Sequence, residues 1–158
     1  MTVQFFLDSL AEYLDRLYKD IPLKDSDGNL AKLTIYKTAM PEDAESDDAD
    51  SALLKVPYCV VKVLNGNISA WNTKGDANVV ITFCTYDDSS DRQGYRDFYN
   101  LCDRLTTALQ KNNIVGGRYE AVPPIEWAIC DEDTYPLYLG AISLKFKTPE
   151  VVIENDLA

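Results

Sequence analysis

ANVVITFCTYDDSSDRQGYRDFYNLCDRL, residues 77–105, holds the pattern from which the fold is read. Its opening run, 77–86, carries apolar or β-branched residues on both faces, as a strand does when layers cover it from both sides. One cover is the helix that follows. Ser90 and Gln93 stand three apart as a capping box, and Asp91 adds negative charge where a helix dipole favours it. Tyr95, Phe98, Cys102, Leu105 and Leu109 then make one apolar stripe running to about residue 113. Gly94 costs about 1 kcal/mol relative to Ala inside a helix, so it marks a close backbone approach. The second cover is either another layer of the same chain or a neighbouring subunit, and both remain open.

Working outward, two further strands follow at about 121–130 and 138–147, joined by the acidic turn DEDTYP. Val122-Pro123-Pro124 lets the first of them pair fully only after Pro124. Upstream, 56–64 alternates as a strand, Asn65-Gly66 signals a type I′ hairpin, and 67–72 is the expected return strand. A short strand lies at about 33–38. Residues 2–20 give the clearest helix, with Val3, Phe6, Leu7, Leu10, Leu14, Leu17 and Ile21 on one stripe and Thr2 as N-cap. The expected order is α-β-β-β-β-α-β-β. That is an α+β fold: a single antiparallel or mixed sheet with two helices on one face, in one domain spanning 1–158.

Charge narrows the function. The 158 residues hold 26 Asp+Glu against 15 Lys+Arg, a net charge of −11, and no histidine. Without His there is no Ser-His-Asp or Cys-His arrangement and no His-containing zinc site. The pI near 4.3 argues against a nucleic-acid backbone or an anionic membrane as main partner. The start MTVQFFLDSL lacks a basic n-region and is not read as a signal peptide. Cys59, Cys84, Cys102 and Cys130 form no CxxC and read as buried free thiols, not as a disulfide or metal framework. Residues 40–52 contain six acids, Glu42, Asp43, Glu45, Asp47, Asp48 and Asp50, and read as a mobile loop. The segment has no glycine, so it does not fit a calcium-binding EF-hand loop.

Tests for chemistry are negative. Neither a Walker A loop nor a dinucleotide fingerprint occurs. Asp87-Asp88 sits where a strand feeds a helix, a place where metal-dependent nucleases hold cations, but no Asp/Glu-x-Lys accompanies it. Turn formation and complementation of the helix dipole account for the pair. No cofactor and no catalytic residue is expected. Trp71, Trp127 and ten tyrosines are not interleaved with bases, so they suit protein contacts better than base stacking.

Five landmarks in order along the chain carry a family resemblance: Tyr86-Asp87-Asp88, Gln93-Gly94-Tyr95, Pro124-Ile125-Glu126-Trp127, Tyr135-Pro136 and Pro149. Over residues 57–150 the sequence resembles the small tail-terminator and tail-completion proteins of tailed phages and prophages. The 40–52 segment and the tail after Pro149 fall outside it. The resemblance implies a non-enzymatic virion protein, made in the host cytoplasm and residing in the tail. It would form a homo-oligomeric ring, typically a hexamer, that caps the tail tube, ends its polymerisation and meets the head connector or stopper protein. Val80, Thr82, Cys84, Tyr86, Asp87 and Asp88 are the expected subunit contacts. The acidic loop would face the lumen or the tube, where DNA passes without specific binding. Another head–tail joining or minor tail role is one alternative. An acidic DNA mimic that inhibits a DNA-binding protein is the alternative from a different class.

Overall fold

A computed structural model describes residues 3–41 and 55–151. Helix α1 (Val3–Tyr18) buries Phe6, Leu7, Leu10, Ala11, Leu14 and Tyr18 along the stripe expected from their spacing. A small hairpin, β1 (Leu23–Lys24) and β2 (Leu30–Ala31), follows. Its turn is organised by the Asp25 carboxylate, which accepts from the backbone N–H groups of Asp27 and Asn29, both at 3.0 Å. The main sheet consists of β3 (Thr34–Lys37), β4 (Tyr58–Asn67), β5 (Gly75–Tyr86), β6 (Ile114–Val115), β7 (Tyr119–Ile129) and β8 (Leu137–Thr148). Helix α2 (Tyr95–Lys111) lies between β5 and β6 in the chain.

The sheet order is β3-β4-β5-β8-β7-β6. Every pairing is antiparallel except β3 with β4, so the sheet is mixed. The central pair, β5 and β8, stays in register from Gly75 opposite Thr148 to Tyr86 opposite Leu137. Both helices lie on one face of this sheet. Ala77, Val79, Ile81 and Phe83 of β5 and Ile142, Leu144 and Phe146 of β8 join the apolar stripes of α1 and α2 in one buried cluster. Tyr18 ties the two helices together by donating its hydroxyl to the Leu101 carbonyl at 2.9 Å. That bond matters because a buried hydroxyl without a partner costs about 1–3 kcal/mol.

Three local expectations are corrected. Asn65-Gly66 makes no hairpin turn: β4 continues through it, with Asn65 opposite Asn78 and Gly66 opposite Ala77. Strand β5 is 12 residues long, and extending β4 pairs more of it than a turn at Asn65 would allow. The register shifts between Val63 and Asn65, as a bulge requires. Gly66 is suited here because a Cβ would sit 2.9 Å from the Asp76 carbonyl oxygen. No strand occupies 67–72 beyond Asn67; residues 68–74 form the connection. The capping box also fails. Helix α2 starts at Tyr95 with Gly94 as N-cap and no side-chain cap bond. Ahead of it, the Asp87 and Asp91 carboxylates accept from the N–H groups of Ser89 and Gln93, at 2.9 and 3.1 Å. These local turns compete with the helix, as Asp side chains commonly do. Finally, β7 pairs with β8 on both sides of the proline pair, at 120–122 and 126–129, with a register shift between.

The close approach expected at Gly94 is present. A Cβ there would lie 2.1 Å from the Tyr138 ring. Gly140 has the same role on β8, since its Cβ would meet the Phe98 ring at 2.5 Å. The two glycines let α2 settle against the sheet.

Candidate interaction surface

Successive strand residues face opposite sides, so the face of the sheet away from the helices can be read row by row. One row runs Tyr36, Val60, Thr82, Ala141, Ala128 across β3, β4, β5, β8 and β7. A second, Thr34, Tyr58, Cys84 and Leu139, lies beside it. Tyr58, Cys84 and Tyr86 are buried with Val56 in a small separate cluster, against which Tyr36, Met40, Val60, Leu137 and Leu139 pack. On the other side of the first row, Lys62, Val80, Ser143 and Glu126 begin a polar zone. It ends in Asp76, Lys147 and Glu120, with the Lys147 ammonium 2.6 Å from the Asp76 carboxylate. The face is therefore graded: closed at one end, charged at the other, and half-open and apolar between.

The six expected subunit contacts divide along this gradient. Val80 and Thr82 are half-buried on the helix-free face. Cys84 and Tyr86 lie on the same face but are closed off within the chain. Burial pushes the Cys84 thiol up to about 11, partly offset by its hydrogen bond with Tyr58, which keeps it protonated and unreactive at neutral pH. Asp87 and Asp88 are not on the face; they form the turn that follows it. Asp87 accepts from Ser89 and lies 3.9 Å from the Lys24 ammonium. The Asp88 carbonyl accepts the Tyr135 hydroxyl. Arg92 makes a forked contact with both oxygens of Asp133 and stacks 4.7 Å over the Tyr135 ring, which closes this corner. The acidic candidates Glu42, Asp43, Glu45, Asp47, Asp48 and Asp50 lie outside the described residues.

Among the described residues no three His, Cys, Asp or Glu side chains come together in a group that could hold a metal ion. No helix among them is long and apolar enough to cross a membrane. The four cysteines are free, three buried and Cys130 half-buried.

Trp71, which the sequence singles out for protein contacts but places on a return strand, is 78% exposed in the 68–74 connection beside the exposed Ile68. The Asn/Gly-rich setting NGNISAWNTKG was the available signal, since such a composition favours loop over strand.

No family model matches the chain. No curated protein matches it. Among solved structures, one chain aligns over 94% of this chain and 93% of its own length, with a TM-score of 0.51 at 12% identity. That likeness shows a shared fold.

Proposed function

We propose that the chain is a non-enzymatic assembly protein of the tail-terminator kind, which self-associates into a ring at the end of a tail tube and joins it to the head connector. The half-open apolar row on the helix-free face supports this reading. Val60, Thr82 and Ala141 lie at the middle of a broad sheet, where a solitary domain would carry polar residues or a second layer. Tyrosine-rich, weakly polar surfaces of this sort suit protein contacts. The order of landmarks from Tyr86 to Pro149 supports this kind of assembly, and the net charge of −11 suits a lumen that lets DNA slide past.

Light scattering across a concentration series tests the reading. A ring gives a species at six times the 17.8 kDa chain mass as concentration rises. Thr82→Asp and Ala141→Asp, which place charge in the apolar row, should abolish that species and leave the circular dichroism spectrum unchanged. A chain that stays monomeric up to millimolar concentration refutes the self-associating ring. If that monomer also inhibits a nuclease, the DNA-mimic reading takes its place.

A further inference from the structure

The two edges of the sheet are not equally covered. Strand β6 pairs only with Tyr119 and Glu120 of β7. Among the described residues nothing pairs with the outer edge of β7 over 125–129. The Cys130 N–H donates to the Leu139 carbonyl, and bonding direction alternates along an antiparallel strand. Glu126 and Ala128 therefore bond to β8, and the main-chain groups of Ile125, Trp127 and Ile129 point outward. Trp127 and Ile129 are also 56% and 38% exposed. An open edge with exposed apolar side chains is a template for a further strand. A groove of about 680 Å³ runs between this edge and the end of α2, with Leu109, Ile125 and Trp127 in its walls. Its one charged lining residue is Lys111, which joins none of the ion pairs formed among the described residues.

Residues 150–158, EVVIENDLA, have the complementary chemistry. Three consecutive β-branched residues, Val151-Val152-Ile153, are accompanied by Glu150, Glu154 and Asp156 and by no base. The segment cannot reach its own chain's edge. Val151 lines a small pocket with Ile68, Trp71 and Thr148, on the β5 side of β8 and so away from β7. Trp127 is level with Ile142, six residues back along β8 from Thr148, or about 20 Å. The outer edge of β7 is about 10 Å further across. Seven residues beyond Val151 extend at most about 25 Å, which leaves none to pair. A second copy has no such limit.

We propose that residues 152–158 of one copy, beyond the seated Val151, add as a strand to the outer edge of β7, along 125–129, in a neighbouring copy. The tail's apolar residues would enter the groove beside Trp127 and its acids would lie toward Lys111. Donor and acceptor are different surfaces, so the contact is head-to-tail and closes into a ring when the rotation per copy permits. The inference rests on the self-association proposed above and names the segment that makes it.

The test separates the two. A fluorescent peptide of residues 149–158 is titrated with the full chain and followed by anisotropy. Saturable binding is expected, weakened at least tenfold by Lys111→Glu and by Ile129→Lys, with thermal unfolding of both variants unchanged. A peptide carrying Glu154→Lys and Asp156→Lys should recover binding to the Lys111→Glu chain. No binding up to millimolar peptide overturns the proposal, and so does equal binding to all three chains. In light scattering, Ile153→Asp should reduce the oligomer at least tenfold at a given concentration. If that variant assembles like the wild type, the tail is not the link, although the chain still self-associates. If the wild type never assembles, the ring reading fails, and the peptide titration alone decides whether the β7 edge takes this segment.

Discussion

Replacing Gly140 by alanine isolates the contact that seats α2 on the sheet. Gly140 lies in β8 opposite Phe83, and its φ is not in the left-handed region, so alanine is allowed by the backbone. The obstacle is steric. The new Cβ would sit 2.5, 2.6 and 2.7 Å from three carbons of the Phe98 ring, whereas carbon atoms rest at about 3.5–4.0 Å. Phe98 is fully buried. It is held between Phe83, with centroids 5.9 Å apart, and Tyr99, at 6.0 Å. It must retreat by about 1 Å and carry part of α2 with it, since contacts this close are essentially never tolerated. Overpacking of this kind costs about 1–3 kcal/mol. The gain from restricting the unfolded chain, about 0.4–1 kcal/mol for Gly→Ala, works against it. The net expectation is a loss of about 1–2 kcal/mol, read as a lower urea midpoint at constant slope. Phe98→Ala alone should cost about 3–5 kcal/mol. In that background Gly140→Ala should be neutral or stabilising, because its methyl enters the vacated space. The coupling between the two changes is then about 1–3 kcal/mol. A Gly140→Ala chain as stable as wild type, or a double variant whose losses simply add, refutes the reasoning.

Two smaller predictions follow from protonation and access. Burial, and then the charge of Asp87, raise the pKa of Asp97 above its ordinary 3.8, with Lys24 acting in the opposite direction. A carboxyl whose folded pKa is raised favours folding below its unfolded pKa and loses that contribution as pH rises through the folded value. Asp97→Asn should therefore be more stable than wild type at pH 7 and equal to it below pH 3.8, in urea midpoints measured across that range. A loss at neutral pH would mean that attraction to the α2 dipole outweighs desolvation. Burial pushes the thiols of Cys59 and Cys102 up to about 12 and that of Cys84 up to about 11. A thiol reagent at pH 8 should thus label Cys130 first, and the other three only as the chain unfolds. Rapid labelling of more than one thiol would contradict the packing around them.

Elements whose side-chain pattern and local chemistry agree were legible from the residues. Helix α1 was, because its stripe repeats over several turns without a competing signal. So were strands β5 and β8, without their pairing, and the stripe of α2. The misreadings all fall where a local motif had two physical uses. Asn-Gly serves a type I′ turn, but it serves equally a strand in which the glycine admits a neighbouring carbonyl, and the length of β5 decided for the second. Ser90 with Gln93 matches a capping box, yet Asp87 and Asp91 hold the preceding backbone in turns and delay the helix to Tyr95. The proline pair at 123–124 shifts the register of β7, but ladder bonds resume at once on both sides.

The surface was legible in kind but not in extent. The apolar and β-branched residues on both faces of 77–86 predict a second apolar face, and Val80, Thr82, Cys84 and Tyr86 do share one. They do not tell which part of that face the chain closes for itself, because Tyr36 and Met40, Val56 and Tyr58, and Leu137 and Leu139 arrive from three other segments. Their arrival at the Cys84–Tyr86 end, and the lysines and acids at the other, leave a single open row through Val60, Thr82 and Ala141. One row across a five-stranded width is small beside the roughly 800 Å² that each partner of a stable complex commonly buries. A ring built on that row alone would be weak. A head-to-tail contact at a second, separate surface adds to it intramolecularly once the first has formed, and the closed ring gains the affinity that neither contact has alone. On this argument substitutions in the row and in the β7 groove should each abolish assembly. A ring that survived loss of one of them would have to carry the whole interface on the other.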